Sequence, residues 1–340
     1  MDDNRPARHS RDGSIIKGSI FLMKSIVIYY SQTGNTKKIA RAIREGVREA
    51  AGRCDLARIQ DVETRDLAGY DLIGLGGPVW HRREPLHMMK FIEYSMNGVE
   101  GKYGFAFCTH GLYPGHFLAR VVPIMAQRGL LMIGWNNWYC SVSLPEKPKP
   151  YFTDGHPDQI DLKEAGDFGR DMAEYCQRGI AGEDPPIPDF PKGKDYDELY
   201  PGPDGKRRPI KDYKIAKQWA RLGLRSFDYQ LNREKCGYPK CSLCMDHCPT
   251  QSIDPSASPP ILKETCDRCW YCEQICPQGA IEIDWEPIAQ FFEKHVIKGF
   301  IRVSEEAESK GRFRRLVPLK DVGWKTYWYS VKKPPRIKPI

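Results

Sequence analysis

The sequence lacks the long apolar runs of membrane and secreted proteins. Its mean hydropathy is −0.56, and no apolar stretch reaches the ~18 residues that a membrane-spanning helix needs. The charged opening residues lack the apolar core, about 7–15 residues long, of a secretory signal peptide. These absences exclude a membrane-spanning and a secreted protein, and we expect a soluble, cytoplasmic one.

Common catalytic and nucleotide-binding patterns are missing too. No nucleophile–base pair and no catalytic zinc motif stands out, and the first glycine-containing loop has neither Gly-x4-Gly-Lys-Ser/Thr nor Gly-x-Gly-x2-Gly. Wholesale disorder is excluded as well, because 41% of the 340 residues are hydrophobic. With ~150 residues per domain as a guide, the length predicts about two domains and their connections.

Strand-like and helix-like stretches alternate from Ser25 to Arg178. Five apolar strands separated by helices predict an α/β domain with a doubly wound parallel sheet. A stretch rich in Pro, Gly and Asp follows, which predicts a linker. The predicted organisation is an N-terminal extension (1–23), the α/β domain (24–181), a linker with a helix (182–233), a cysteine-rich domain (234–285) and a basic, aromatic C-terminal extension (286–340).

Cysteine is concentrated in one short region. Eight of the twelve cysteines fall between Cys236 and Cys276. A disulfide framework is typical of small secreted chains, so this clustering indicates metal binding instead. The other four are single and read as buried core residues: Cys54, Cys108, Cys140 and Cys176.

The clustered cysteines form an internal repeat. Each half has a triplet of cysteines followed by x3-Cys-Pro, and in such repeats the fourth cysteine ligates the other cluster. The pattern therefore predicts two [4Fe–4S] clusters. We call Cys236, Cys241, Cys244 and Cys276 the first set, and Cys248, Cys266, Cys269 and Cys272 the second set.

This region resembles a bacterial-type two-cluster ferredoxin, a small α+β domain. It departs from that family at Cys236-x4-Cys241, where x2 is usual, so a full [4Fe–4S] cluster on the first set stays open. Structural zinc is the main alternative, but zinc sites are built from paired x2 spacings rather than two such triplets.

A polar loop separates the first predicted strand from the first helix. Its hydroxyls, amides and glycine suit a phosphate held by backbone N–H groups at a helix N-terminus. Without a lysine, the loop would bind a phosphate monoester through neutral donors. The residues of the loop are Ser31, Gln32, Thr33, Gly34, Asn35 and Thr36.

Residues 24–180 resemble flavodoxins, whose cofactor is FMN, most closely in that loop. The resemblance implies that Pro78, Val79 and Trp80 follow the third strand with the indole against the flavin ring. It also implies that Thr109, His110 and Gly111, after the fourth strand, contact the polar edge of the ring. Ligands of open α/β sheets bind at such carboxyl ends of strands. A surface anchor for Trp80 and no role for His110 remain alternatives.

The loop after Trp80 is cationic, whereas low-potential flavodoxins tend to be acidic there. Arg82 and Arg83 would stabilise the anionic reduced flavin, or bind an anionic substrate or partner carboxylates. A solvated charged turn is the third interpretation.

Together the two halves resemble the flavodoxin–ferredoxin fusions of anaerobes. That resemblance implies an electron carrier that serves a larger oxidoreductase through a redox protein partner. A flavin-dependent reductase of a small molecule is the alternative, and clusters that are structural or sense oxygen are a third. We expect no nucleic-acid partner, and a homo-oligomer stays open.

The C-terminal extension is basic and aromatic. Residues 286–340 have a net charge of +7, whereas residues 236–285 have −4, which fits intramolecular docking or an acidic protein partner. A helix is predicted over Pro287–Lys298 and a strand over Trp324–Tyr329. We expect residues 286–330 to be ordered and packed, with a mobile docking tail as the alternative, and Lys332–Ile340 to be mobile.

Overall fold

The structure is a computed structural model that describes residues 23–62, 67–191, 230–257, 261–262 and 266–339. Most of the predicted N-terminal extension (residues 1–22) and of the predicted linker with its helix (192–229) lies outside these ranges. Met23 is fully buried in the core. None of the helices in the described ranges is long and apolar enough to cross a membrane.

The first domain is a parallel sheet covered by helices on both faces. The strands lie in the order β2-β1-β3-β4-β5, which is the flavodoxin-like doubly wound arrangement and confirms the predicted fold class. All four strand pairs are parallel. The elements are β1 (Ser25–Tyr29), α1 (Asn35–Ala51), β2 (Cys54–Arg58), β3 (Leu72–Pro78), α2 (Leu86–Ser95), β4 (Tyr103–His110), α3 (Phe117–Gln127), β5 (Leu131–Tyr139) and α4 (Gln159–Ile180).

Helix α1 shows why the predicted pattern folds as it does. Its apolar stripe, with Ile39, Ile43 and Val47, is fully buried against the sheet. Beside that stripe, the backbones of α1 and α4 are in direct contact. A Cβ atom on Gly46 would lie 1.8 Å from the carbonyl oxygen of Gly166, so only glycine permits this approach. The four isolated cysteines are buried in the same domain, as predicted.

The cysteine-rich domain consists of short elements around the thiols. Strand β6 pairs antiparallel with β9, and β7 pairs with β8. This small pseudo-repeated unit agrees with the predicted ferredoxin-like domain. Its elements are β6 (Gln230–Leu231), α5 (Leu243–Asp246), β7 (Ile253–Asp254), β8 (Ile261–Leu262), α6 (Tyr271–Ile275) and β9 (Ile281–Glu282).

The C-terminal segment, residues 286–339, differs from its predicted elements. The predicted helix is two helices, α7 (Glu286–His295) and α8 (Ile297–Ser309), separated at Val296. The predicted strand over Trp324–Tyr329 is wrong. Only Tyr327 forms a bridge, to Pro148, and the run then turns into helix α9 (Trp328–Val331). Tyr327 buries its ring against α7, so tertiary packing overrides the β propensity of the aromatic residues.

The C-terminal segment packs on the first domain. Val303, Phe313 and Val322 form one buried cluster with aromatic residues of the loops after β4 and β5. Arg314 donates two hydrogen bonds, each 2.7 Å long, to the two carboxylate oxygens of Asp158, the residue that caps α4. The basic segment is therefore a packed part of the fold rather than a free docking tail.

A buried histidine completes this contact. His156 bonds through Nδ1 to Asp161 at 2.6 Å and through Nε2 to the carbonyl of Arg314 at 2.7 Å. Burial lowers the pKa of His156, but the Asp161 carboxylate and the Arg314 carbonyl outweigh it, so the pKa is raised.

This geometry predicts a pH-dependent stabilisation. A raised histidine pKa stabilises the fold fully below the pKa of the unfolded chain, and the stabilisation is lost as pH rises through the folded pKa. We expect the difference in Tm between the native protein and His156→Gln to be largest at pH 6 and to shrink towards pH 9. Anaerobic thermal melts measure this difference in Tm. A constant difference across that pH range would contradict stabilisation by protonated His156.

Candidate functional site

The polar loop after β1 leaves the start of α1 open. Gly34 adopts φ +93°, a left-handed conformation that favours glycine, and its N–H donates to Ser31 Oγ at 3.1 Å. No side chain caps the first amides of α1, and such amides have no partner within the helix. Thr33 is exposed at this end of the helix. These donors fit a phosphate monoester.

The three loops predicted to hold the flavin converge. The hydroxyls of Thr36 and Thr109 lie 2.7 Å apart, and the N–H of Val79 donates to the carbonyl of Thr109 at 2.8 Å. The carboxyl ends of β1, β3 and β4 therefore meet at one place.

Trp80 and His110 both have internal partners. Trp80 is 8% exposed and meets Tyr30 edge to face at 5.4 Å, so it is no surface anchor. His110 Nε2 lies 2.8 Å from Asn137 Oδ1, which attaches the end of β4 to β5. Burial lowers the pKa of His110 to about 4 despite that bond, so its ring is neutral at pH 7.

A long loop between β5 and α4, residues 140–158, lies over this edge of the sheet. The Asn35 amide donates to the Ser141 carbonyl at 2.9 Å. A Cβ atom on Gly111 would lie 1.9 Å from Val142. Farther on, the loop pairs with the C-terminal segment, where Lys149 N–H donates to the Thr326 carbonyl at 2.7 Å. The loop 140–158 thus packs against two of the predicted flavin loops and, farther on, against the C-terminal segment.

The second set of cysteines surrounds one cavity. Cys248, Cys266, Cys269 and Cys272 all line it. The arrangement brings the cysteine of the first half beside the triplet of the second half. Four convergent thiols around a cavity fit a cluster.

The first set converges in the same way. Burial raises the pKa of Cys244 to about 11, and the next largest causes are the nearby thiols of Cys276, Cys236 and Cys241. Ser252 N–H donates to Cys248 Sγ and Ala280 N–H to Cys276 Sγ, each at 3.2 Å and each from four residues downstream. The two halves thus repeat the same N–H···S geometry, which stabilises thiolate charge at a cluster.

A buried ion pair joins the two domains. Arg83 Nη2 donates to Asp267 Oδ1 at 2.9 Å, and both residues are 1% exposed. The other oxygen of Asp267 accepts the N–H of Leu86, the first residue of α2, at 2.7 Å. Asp267 therefore supplies the N-terminal cap that helix α2 lacks on its own side. Arg83 binds a carboxylate of its own chain and is buried, so the interpretation of this loop as a solvated charged turn is wrong.

The same interface brings a cysteine of the second set to the flavodoxin core. Cys269 packs against the cluster of buried residues that contains Tyr30 and Trp80. The pKa of Tyr30 is raised well above its ordinary value by burial and then by the proximity of Cys269. The second set therefore lies beside the carboxyl ends of β1 and β3.

The end of the chain is attached to the cysteine-rich domain. Arg336, 4% exposed, donates to both carboxylate oxygens of Glu273, the shortest bond being 2.8 Å. Its N–H donates to the carbonyl of Gln274 at 2.6 Å. Helix α6 carries both Glu273 and Cys272 of the second set, and Cys276 of the first set follows its last residue. The expectation that Lys332–Ile340 is mobile is therefore wrong for the described residues up to 339.

Comparison with known families agrees with this architecture. A flavodoxin domain model matches residues 26–115, and a 4Fe-4S binding domain model matches residues 259–282. The chain thus contains a flavodoxin domain joined to a 4Fe–4S-binding domain. This is the composition of a flavodoxin–ferredoxin fusion, as the sequence predicted.

Individual relatives resemble the first half of the chain. An NAD(P)H dehydrogenase (quinone) of Afipia carboxidovorans is 24% identical over 196 residues, covering 46% of this chain and 98% of the relative. That of Archaeoglobus fulgidus is 24% identical over 199 residues, covering 46% and 99%. Among solved structures, an archaeal flavodoxin is 25% identical with a TM-score of 0.38, covering 46% and 99%. The Megasphaera elsdenii flavodoxin is 22% identical with a TM-score of 0.35, covering 44% and 98%.

Sequence reasoning missed the contacts between domains. Asp267 carried a signal in the sequence, because it is an acidic residue inside a cysteine triplet and the loop after Trp80 offers cations that could pair with it. The pair Asp158 and Asp161 has the spacing of a capping box, which the sequence also displays. Arg336 carried none, since a single arginine in a Pro/Lys-rich tail indicates no partner.

The Arg83–Asp267 pair predicts strong coupling between its members. Arg83→Met leaves a carboxylate buried without its cation, which costs about 3 kcal/mol or more. Asp267→Asn strands the guanidinium in the same way. We expect the double variant to be less destabilised than the sum of the two single variants, by about 1–3 kcal/mol. Anaerobic urea unfolding measures this, with Asp284→Asn, an exposed residue of the same domain, as the control. Additive effects would contradict the coupling.

The Arg336–Glu273 pair predicts that the chain terminus protects the cysteine sites. Arg336→Met should lower the Tm and speed the loss of iron in air, because Glu273 stays buried without its cation between ligands of both sets. Lys338→Met, an exposed neighbour, is the matched control and should behave as the native protein. Equal rates of iron release in all three proteins would contradict the attachment.

Proposed function

We propose that this protein transfers electrons between FMN and two [4Fe–4S] clusters on behalf of a larger oxidoreductase system. The single observation that carries the proposal is the buried Arg83–Asp267 pair. It fixes the turn that bears Cys266 and Cys269 against the loop after β3, where the flavin ring would lie. A ligating cysteine in contact with the core under Trp80 supports electron exchange within one chain.

The residues present fit FMN. Ser31, Thr33 and the first amides of α1 would hold the phosphate, with Gln32, Gly34, Asn35 and Thr36 completing the loop. Pro78, Val79 and Trp80 would contact one part of the ring, and Thr109, His110 and Gly111 another. When bound, the flavin supplies one- and two-electron chemistry, and the chain supplies its position and surroundings.

The eight clustered cysteines fit two clusters ligated across the repeat. The matching N–H···S bonds in both halves support equivalent sites in spite of the x4 loop. Each cluster would exchange single electrons, so the pair complements the flavin.

A flavin-dependent reductase is the second candidate. The long loop 140–158 packs against the predicted flavin loops at Asn35 and Gly111, and a covered flavin suits a small substrate. The relatives named NAD(P)H dehydrogenase (quinone) add the same suggestion for the first half of the chain. Steady-state turnover of NADH or NADPH with benzoquinone would favour this candidate, whereas we expect no sustained turnover with that pair.

The proposal predicts cofactor stoichiometry. Protein made without oxygen should contain about one FMN, eight irons and eight labile sulfides per chain. Cys272→Ser should lose about half of the iron, whereas Cys176→Ser, a buried cysteine outside both sets, should keep all of it. Elemental analysis and flavin release measure this.

Two results would overturn parts of the proposal. Four irons in the native protein would show that the x4 loop holds no full cluster. Stoichiometric zinc without labile sulfide would remove the redox function altogether.

A further inference from the structure

Tyr30 lies where the flavodoxin domain meets the second set of cysteines. It directly follows β1, and its N–H donates to the carbonyl of Gly76 in β3 at 3.0 Å. The residue is 6% exposed and belongs to the group of buried apolar residues against which Cys269 packs. Trp80 meets its ring edge to face at 5.4 Å, and His87 does so at 4.1 Å. The strand and the two rings therefore hold the phenol in one position at the domain interface.

The hydroxyl of Tyr30 is a buried donor that has no hydrogen-bond partner in the part of the chain that the structure describes. Gln32 lies near enough to act on this hydroxyl, but the side-chain nitrogen of Gln32 also has no partner among those residues. Buried hydroxyls are nearly always hydrogen-bonded, because one without an acceptor destabilises the fold. The position of Tyr30 therefore requires an acceptor beside its hydroxyl.

The ionisable groups that act on this hydroxyl favour sulfur as the acceptor. They are Cys269, Tyr271 and Asp267, all of which lie within the second cysteine triplet. Both carboxylate oxygens of Asp267 are already bonded to the flavodoxin domain. Burial raises the pKa of Tyr30 well above its ordinary value, and these three groups raise it further. The hydroxyl thus keeps its proton and is available as a donor on the side of Cys269.

We propose that the Tyr30 hydroxyl donates a hydrogen bond to a sulfur atom of the cluster held by the second set, at or next to Cys269, and raises the reduction potential of that cluster. Reduction adds negative charge to the cluster, so a donor to its sulfur stabilises the reduced form more than the oxidised form. The inference rests on the proposed function and adds to it a residue of the flavodoxin domain that sets the potential of one cluster.

The experiment removes the hydroxyl and keeps the ring. Tyr30→Phe should contain as much FMN and iron as the native protein. Anaerobic redox titration measures the potentials, with EPR for the clusters and absorbance for the flavin. One cluster should become about tenfold harder to reduce, which is ~59 mV lower for a one-electron couple, and the other cluster and the flavin should stay unchanged. The EPR signal that is missing in Cys272→Ser identifies the shifted cluster as that of the second set.

Tyr29→Phe is the matched control. Tyr29 is the last residue of β1 and belongs to the buried group on the opposite face of the sheet, so the loss of its hydroxyl should move no potential. A fluorinated tyrosine in place of Tyr30 keeps the hydroxyl and makes it a stronger donor. It should raise the potential of the same cluster, which tests the proposal even where Tyr30→Phe loses its cofactors.

Several results would overturn the inference alone. They are unchanged cluster potentials in Tyr30→Phe, a shift confined to the flavin or to the cluster of the first set, and an equal shift in Tyr29→Phe. A shift confined to the flavin would make the flavin the acceptor of the bond. Zinc without labile sulfide, or a lack of FMN, in the native protein would overturn the proposed function itself, before any variant is compared.

Discussion

The arrangement of this molecule depends on one buried carboxylate. Asp267 lies out of water within a triplet of cysteines, and a buried charge is tolerated only where it is paired and hydrogen-bonded. Its two oxygens are satisfied by Arg83 and by the first amide of α2. Both partners belong to the flavodoxin domain, so the cysteine-rich domain meets its electrostatic requirement only when it is docked. The pairing of the Asp267 charge therefore also fixes the position of the cysteine-rich domain on the flavodoxin domain.

The loop after β3 is shaped to meet that constraint. His81 and Arg82 both have positive φ, 46° and 67°, which is costly for side chains other than glycine. The tight turn is closed by reciprocal hydrogen bonds between Trp80 and Arg83 of 2.8 and 2.9 Å. On its other side, the buried Glu84 accepts two bonds from Arg120 of α3, each 3.0 Å long. The strain is balanced by two ion pairs that fix the turn from opposite sides.

The sequence predicted what local patterns encode. The period of the apolar residues predicted the alternating elements of the first domain, and the cysteine spacing predicted which thiols converge, because both signals are short in range. The contacts of Asp267 with Arg83, of Arg336 with Glu273 and of Arg314 with Asp158 join residues far apart in the chain. Such pairs leave no periodic signal in the sequence. Only the structure therefore shows how the cysteine-rich domain docks on the flavodoxin domain and that the C-terminal residues up to 339 are packed. The strand predicted at residues 324–329 was wrong for a related reason. The aromatic side chains of this run pack on helices that are distant in sequence, rather than in a sheet.

The pairing also changes the electrostatic interpretation of the flavin edge. The cationic loop suggested that Arg83 would stabilise a reduced, anionic flavin, but a cation that is hydrogen-bonded to a buried carboxylate leaves mainly a dipole. The nearby histidines add no charge either. Burial lowers the pKa of His87 to about 3, as it lowers that of His110, so both rings are neutral at pH 7. Arg83, His87 and His110 therefore add little net charge at this edge, against which the loop 140–158 packs. Cys269 packs against the core around Tyr30 and Trp80, so the second set lies beside this edge, and the proposed electron exchange within the chain depends on that proximity.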